Sequence, residues 1–194
     1  MFDPSDLKIQ TLGECRFESP LVAKGRPFAD ESIRVRVKRH IGDAPPDTGE
    51  LSFEEAGPRR RIFFDPAETT AAFVTCGGLS PGLNNVIRSG FLELTHNYGV
   101  KRVLGIRNGY AGLNPDSGLE PIFMTQRSVQ NIHHLGGTVL GSSRGMHEAA
   151  ILVDFMEARE IDILFCIGGD GTQRGAHAIQ QEIHKRGLPK SIIG

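Results

Sequence analysis

The sequence lacks the signatures of several large classes of protein. No stretch of its 194 residues approaches 18 uninterrupted apolar positions, so no membrane-spanning helix is expected. The opening residues Met1-Phe2-Asp3-Pro4-Ser5-Asp6 show no basic segment running into an apolar one and do not read as a secretory leader. Surplus charge is missing too: 22 Lys+Arg against 23 Asp+Glu leave a formal net charge of −1. No global field then draws the molecule to nucleic acid or to a membrane surface, and neither is an expected partner. Any anion must be held locally. Cysteine is scarce, and Cys15, Cys76 and Cys166 are odd in number with no C-x-x-C pair. That argues against a disulfide framework and a zinc knuckle, and for a reducing, cytoplasmic setting. The P-loop pattern G-x-x-x-x-G-K-[ST] is absent, as is a G-x-G-x-x-G opening a helix after the first strand. No internal repeat of fixed period is found.

Glycine is what the chain has in excess, 24 residues of 194, roughly 12% where about 7% is usual. These glycines cluster around a few loops, which points to close backbone approaches. The length suits one full domain with an N-terminal elaboration, not two complete domains. Residues 1–70 read as that extension, with turns marked by Pro45-Pro46, Asp43, Asp47, Gly49 and Gly57-Pro58. Within it Ile33, Val35 and Val37 alternate with Arg34, Arg36 and Lys38, the period of a half-buried strand with a solvated basic face.

Residues 71–194 change texture. Short apolar runs alternate with segments of helical period, which predicts an α/β, Rossmann-like three-layer domain with a mostly parallel sheet. Strands are expected near 71–76, 101–106, 138–140 and 161–167, with another beginning at Ser191. Helices are expected over 83–98, 125–135, 146–159 and 172–186. Val86, Ile87, Gly90, Phe91 and Leu94 form one inward stripe, Val129, Ile132 and Leu135 a second, and Ala176, Ile179 and Ile183 a third. Gly99 and Gly136 sit where C-terminal caps belong. A chain that ends within a buried parallel strand reads as truncated.

Two glycine loops carry the chemistry. The first, Thr75-Cys76-Gly77-Gly78-Leu79-Ser80-Pro81-Gly82-Leu83-Asn84, lies between an apolar strand and an amphipathic helix. In an open parallel sheet, ligands sit beyond the carboxyl ends of the strands, where free N–H groups of helix N-termini favour anions. A tight strand-to-helix turn with no ligand accounts for this loop equally well. The second, Gly168-Gly169-Asp170-Gly171-Thr172 after the apolar run Ile163 to Ile167, is the stronger signal. A carboxylate beside a phosphate repels it unless a cation intervenes, so Asp170 makes sense as a magnesium ligand. Thr172 is expected to open the helix with its hydroxyl on an N–H or a phosphate oxygen. An ordinary Asp-Gly turn with a threonine cap is the plain alternative.

Together, Gly77-Gly78-x-x-Pro81-Gly82-x-Asn84 and Gly168-Gly169-Asp170-Gly171-Thr172, in this order, resemble the phosphofructokinases. Gly105-Ile106-Arg107-Asn108-Gly109-Tyr110-Ala111-Gly112-Leu113 is similar to the family's loop that meets the nucleotide. Gly136-Gly137-Thr138-x-Leu140-Gly141-Ser142-Ser143-Arg144 is similar to its arginine loop. The resemblance covers roughly residues 60–194. Gly-Gly-Asp-Gly-Thr by itself is less specific, since NAD kinases and diacylglycerol kinases look similar there.

The resemblance implies an ATP-dependent 6-phosphofructokinase of the long-chain subgroup, using Mg2+ with ATP and transferring a phosphoryl to the 1-hydroxyl of fructose 6-phosphate. Gly78, Tyr110, Gly145, Gly169, Asp170, Gly171, Thr172 and Gly175 would hold the nucleotide, Asp170 the metal. Arg144 would contact the phosphates and stabilise the transferring phosphoryl. Pyrophosphate-using members tend to carry Asp where this chain has Gly171, which favours ATP. Leu79-Ser80 departs from the Asp-Ala of short members, and Arg88 matches a position that meets their allosteric effector, a regulation not carried over here. The family's proton acceptor follows the strand that begins at Ser191, so the 194-residue chain is expected to be inactive alone, and the full-length protein to be a homodimer or homotetramer. The rival readings are a pyrophosphate-dependent enzyme and a non-catalytic nucleotide-binding subunit. His133-His134 are adjacent and cannot face one metal from a helix, and His177 and His184 lie about 10 Å apart along an axis, so all four read as structural or surface. Cys76 and Cys166 read as buried, reduced thiols.

Overall fold

The computed structural model describes residue 9 and residues 11–36, 52–145 and 147–194. The chain divides into two units, Met1–Phe63 and Phe64–Gly194. In the first, β1 (Phe17–Glu18) pairs antiparallel with β4 (Arg61–Ile62), and β2 (Arg34–Arg36) with β3 (Ser52–Glu54). The expected half-buried strand is corrected here: Ile33 and Val35 are 46% and 39% exposed, so the alternation buries neither face. The pairing is held from the polar side, where the Arg34 guanidinium donates to the Ser52 carbonyl at 2.9 Å and faces the Glu54 carboxylate. Val37 and Lys38 lie outside the described residues.

The second unit is built on a five-stranded sheet. In chain order it runs β5 (Thr70–Thr75), α1 (Leu83–Leu92), β6 (Arg102–Ile106), β7 (Ile122–Phe123), α2 (Gln126–Val129), α3 (Ala149–Ala158), β8 (Ile163–Ile167), α4 (Asp170–Lys185) and β9 (Ser191–Ile193). The spatial order is β7-β6-β5-β8-β9, parallel throughout except for β7. The chain steps outward from β5 to β6 and then returns past β5 to β8, so the strand order reverses between the two central strands. Such a reversal leaves a crevice at the carboxyl ends of those strands.

Burial follows the pleat. Ala72, Val74, Leu164 and Cys166 face the core shared with α3 and α4, while Ala71 and Phe73 face the core shared with α1. Phe73 stacks on Phe165 with centroids 4.9 Å apart. Gly90 lets α1 settle onto that layer, since a Cβ there would stand 2.7 Å from the Phe73 ring. Ile87 and Phe91 are buried as the stripe predicts, but Val86 is 52% exposed, because one residue turns a helix by about 100°. After Leu92 the helix widens into a π-helical segment, Glu93–Tyr98, where the Thr95 hydroxyl bonds back to the Phe91 carbonyl. Gly99, at φ 79°, ends it as expected.

Three expectations are corrected. Residues 138–140 are not a strand; the Val139 and Leu140 N–H groups go to the Asn84 and Thr138 side chains, and the Thr138 and Leu140 carbonyls accept the Gly141 and Asn108 N–H groups, so no ladder forms. The antiparallel edge strand is instead Ile122–Phe123, only two residues long and exposed, without the apolar run that marks a buried strand. The helix expected over 125–135 stops at Val129 and resumes as a 3-10 turn, Ile132–His134. Leu135 is 59% exposed, and Gly136 caps no helix.

Candidate functional site

Both glycine loops leave the carboxyl ends of neighbouring strands, the first after β5 and the second after β8, at the strand-order reversal. They are stitched together. The Cys76 N–H donates to the Ile167 carbonyl at 3.1 Å, and the Thr172 hydroxyl donates to the Cys76 carbonyl at 3.2 Å. The loops pack tightly at Gly168, where a Cβ would lie 2.5 Å from the Cys76 carbonyl oxygen.

Helix α4 begins at Asp170 with Gly169 as its N-cap, two residues before the start expected at Thr172. Thr172 is 3% exposed and its hydroxyl braces the first loop instead of capping the helix. The first helical bond runs from the Gln173 N–H to the Gly169 carbonyl. The N–H groups of Gly169 to Thr172 therefore have no carbonyl one turn earlier to receive them, and they carry the positive end of the helix dipole. Around Gly169 and Gly171 a Cβ would meet nothing within 4 Å, so this turn borders open space.

A cleft of about 350 Å³ opens there. Of the residues singled out in the sequence, Gly78, Tyr110, Arg144, Gly145, Gly169, Asp170, Gly171 and Thr172 line it. Gly175 does not. It lies one turn along α4 behind the Tyr110 ring, which a Cβ would strike. Cys76, Gly77 and Ser143 also line the cleft and were not singled out as site residues. Their only signal in the sequence is adjacency to the glycines and to Arg144.

Tyr110 is held by a sharp bend after β6, where Asn108 adopts φ 52° and Gly109 φ 64°. Asparagine tolerates that left-handed conformation better than other side chains. Tyr110 is 6% exposed, and its hydroxyl donates to the Thr172 carbonyl at 2.7 Å. It thus borders the cleft and props the first turn of α4. Burial pushes the Cys76 thiol up to about 12 and the Cys166 thiol up to about 11, and also raises Tyr110. All three are neutral hydrogen-bonding groups at ordinary pH.

Arg144 ends the segment facing the first loop. The Gly77 N–H donates to the Ser143 carbonyl at 3.0 Å, and the Ser142 hydroxyl donates to the Gly77 carbonyl at 2.6 Å. An Arg144 Nη lies 4.0 Å from the point where a Gly78 Cβ would stand. Asn84 is buried at 2% exposure, facing away from ligand space, and its amide clamps the Leu135 carbonyl at 3.0 Å and the Val139 N–H at 2.9 Å. The four histidines His133, His134, His177 and His184 are exposed, and among the described residues no three His, Cys, Asp or Glu gather as a metal cluster. Arg88 and Arg127 border a separate cavity between α1 and α2.

Fold and site together define an α/β domain with a cleft at its strand-order reversal, lined by the first turn of a helix, one carboxylate and a guanidinium. The phosphofructokinase family model matches residues 70–193, and the chain belongs to that family. An ATP-dependent 6-phosphofructokinase of Amycolatopsis methanolica is 42% identical, over 97% of this chain and 43% of its own length. One from Trypanosoma cruzi is 46% identical, over 97% of this chain and 40% of its own. Among solved structures, a pyrophosphate-dependent phosphofructokinase from Marinobacter aquaeolei superimposes with a TM-score of 0.58 at 25% identity, covering 65% of this chain and 32% of that one. Pichia pastoris phosphofructokinase shares the fold, with a TM-score of 0.52 at 22% identity, covering 78% of this chain and 16% of that one. The chain spans less than half the length of these relatives.

Proposed function

We propose that this chain holds the phosphoryl donor of an ATP-dependent 6-phosphofructokinase, with Mg-ATP in the cleft and fructose 6-phosphate as the acceptor of the whole protein. The observation that carries the proposal is that Arg144 and the open N-terminal turn of α4 line the same cleft. The N–H groups of Gly169 to Thr172 donate to phosphate oxygens, where the helix dipole favours negative charge. The Arg144 fork matches the charge that develops on the equatorial oxygens of a phosphoryl in transit. Asp170, exposed at the first position of α4, suits a cation held between one carboxylate and the phosphates. Magnesium bound there would neutralise charge on the phosphate oxygens.

Asp170 is the one carboxylate among the described residues lining the cleft. A carboxylate that holds a cation has its basicity lowered and makes a poor acceptor for the proton of the acceptor hydroxyl. The chain is therefore a donor-binding half, expected to bind nucleotide without turning it over. Calorimetric titration of the 194-residue chain with ATP tests this. Binding should require magnesium and weaken at least about tenfold in Asp170→Asn, with no product from fructose 6-phosphate in a coupled assay. Failure of the wild-type chain to take up Mg-ATP sinks the reading.

ATP is favoured as donor by the space at Gly171, where a Cβ would meet nothing within 4 Å, and by relatives named ATP-dependent at 42% and 46% identity. Pyrophosphate is the second reading, supported by the neighbour from Marinobacter aquaeolei. A cytoplasmic setting accords with the free thiols of Cys15, Cys76 and Cys166. No helix among the described residues is long and apolar enough to cross a membrane. Homo-oligomerisation belongs to the same proposal.

A further inference from the structure

Thr75 closes β5, the middle strand of the sheet, and is 1% exposed. It lines no part of the cleft. Its hydroxyl lies 2.7 Å from the Gly141 carbonyl oxygen and 2.9 Å from the Thr138 hydroxyl. A carbonyl can only accept, so the Thr75 proton goes to Gly141, and Thr138 must then donate to Thr75. The Thr138 oxygen in turn accepts the Leu140 N–H at 3.2 Å. One directed chain results, from the Leu140 N–H through Thr138 and Thr75 to the Gly141 carbonyl, in which each bond polarises the next.

This chain starts and ends in the segment that leads to Arg144, and Thr75 is its one member on the sheet. The rest of the fastening is divided. Asn84 holds the segment upstream through the Leu135 carbonyl and the Val139 N–H, the Asn108 N–H donates to the Leu140 carbonyl at 2.8 Å, and Gly77 holds it downstream through Ser142 and Ser143. Thr75 grips the middle, three residues before Arg144. The four residues before Thr75, Ala71 to Val74, are apolar, and both hydrogen bonds of the Thr75 hydroxyl go to this loop. We infer that Thr75 is a positioning residue for Arg144: it fixes where the guanidinium stands relative to the phosphates of the donor, and never touches the donor itself. The inference rests on the donor-binding reading.

A double-mutant cycle with Arg144 separates positioning from general stability. Thr75→Val keeps the shape and removes the hydroxyl, whereas Thr75→Ser keeps the hydroxyl. In the 194-residue chain with Mg-ATP as the probe, Thr75→Val should lower affinity about tenfold when Arg144 is present and less than about twofold in an Arg144→Ala background. Thr75→Ser should stay within about threefold of wild type. An equal loss in both backgrounds, or a serine variant as weak as the valine one, overturns the inference. Hydrogen exchange supplies a reading that needs no ligand. Thr75→Val should speed exchange of the Val139 to Arg144 amides while those of β5 and β8 hold, and unchanged exchange, or a rise across the whole sheet, overturns it too. If wild-type chain binds no Mg-ATP, the donor reading has failed, and the exchange experiment still decides the role of Thr75.

Discussion

Gly168→Ala tests whether the two glycine loops act as one packed unit. The added Cβ would lie 2.5 Å from the Cys76 carbonyl oxygen and 2.8 Å from the Thr172 Cβ, and would strike the Thr172 hydroxyl. Carbon–oxygen contacts settle at roughly 3.3 Å, so the loops must part by about 0.8 Å at this point. Neither obstacle is a flexible side-chain end: one is backbone, the other a 3% exposed threonine. Overpacking of this kind costs about 1–3 kcal/mol. Parting the loops also breaks the bond from the Thr172 hydroxyl to Cys76, worth about 1 kcal/mol. The total, about 2–4 kcal/mol, corresponds to a fall in melting temperature on the order of 10 °C for a domain of this size. The control is Gly169→Ala, where no atom lies within 4 Å and only the poorer N-cap preference of alanine is at stake, so the loss should stay below about 1 kcal/mol. Thermal unfolding followed by circular dichroism reads both variants. A Gly168→Ala chain melting within about 2 °C of wild type refutes the close-packed account of the loops.

Gly171→Asp should weaken Mg-ATP by at least about tenfold, since the new carboxylate enters the space open to phosphate, while leaving the melting temperature close to wild type; titration calorimetry and unfolding measure the two. Tyr110→Phe removes the donor to the buried Thr172 carbonyl, and should cost about 1–2 kcal/mol in chemical denaturation without a change in the ring packing against Gly175. The thiols give a pH dependence. Cys76 and Cys166 are held neutral to about 12 and about 11 when folded, against 9.0 for a free thiol. The unfolded chain therefore loses these protons first, so stability is full below about pH 9 and declines as pH climbs toward the folded values. At pH 8 a thiol reagent should modify exposed Cys15 quickly and the other two only on unfolding. Three equally fast thiols contradict the burial assigned to them.

The sheet was legible because its inner strands are short apolar runs, two of which, β5 and β8, lead into amphipathic helices, and β5, β6 and β8 fall within two residues of their expected bounds. The segment 138–140 misled for a physical reason. Thr138-Val139-Leu140 has strand composition, but its N–H groups and flanking carbonyls go to Asn84, Thr138 and Thr75 side chains. Asn84 and Thr75 are distant in sequence and invisible to periodicity. The same cause hid Thr75 and gave Asn84 no evident role, although both sit in the first glycine-loop segment. Thr172 was read as a cap because Ser or Thr beside a helix start is the local signal. Its actual partner, the Cys76 carbonyl, belongs to the loop that leaves another strand.

The glycines show the limit most sharply, because the sequence gives one letter to two opposite functions. At Gly169 and Gly171 an added Cβ meets nothing within 4 Å, so the missing side chain leaves room for something that is not protein. At Gly168 and Gly175, in the same stretch of chain, the room is already filled, by the Cys76 carbonyl and Thr172 in one case and by the Tyr110 ring in the other. The filled pair is what holds the open pair in place. Gly168 brings the first loop against α4, and Gly175 admits the tyrosine that props its first turn through the Thr172 carbonyl. Substitution at the filled positions should therefore lower stability and affinity together, whereas substitution at Gly171 should lower affinity alone. On the donor-binding reading, part of the anion affinity comes from backbone N–H groups whose direction is set by the packing at Gly168 and Gly175.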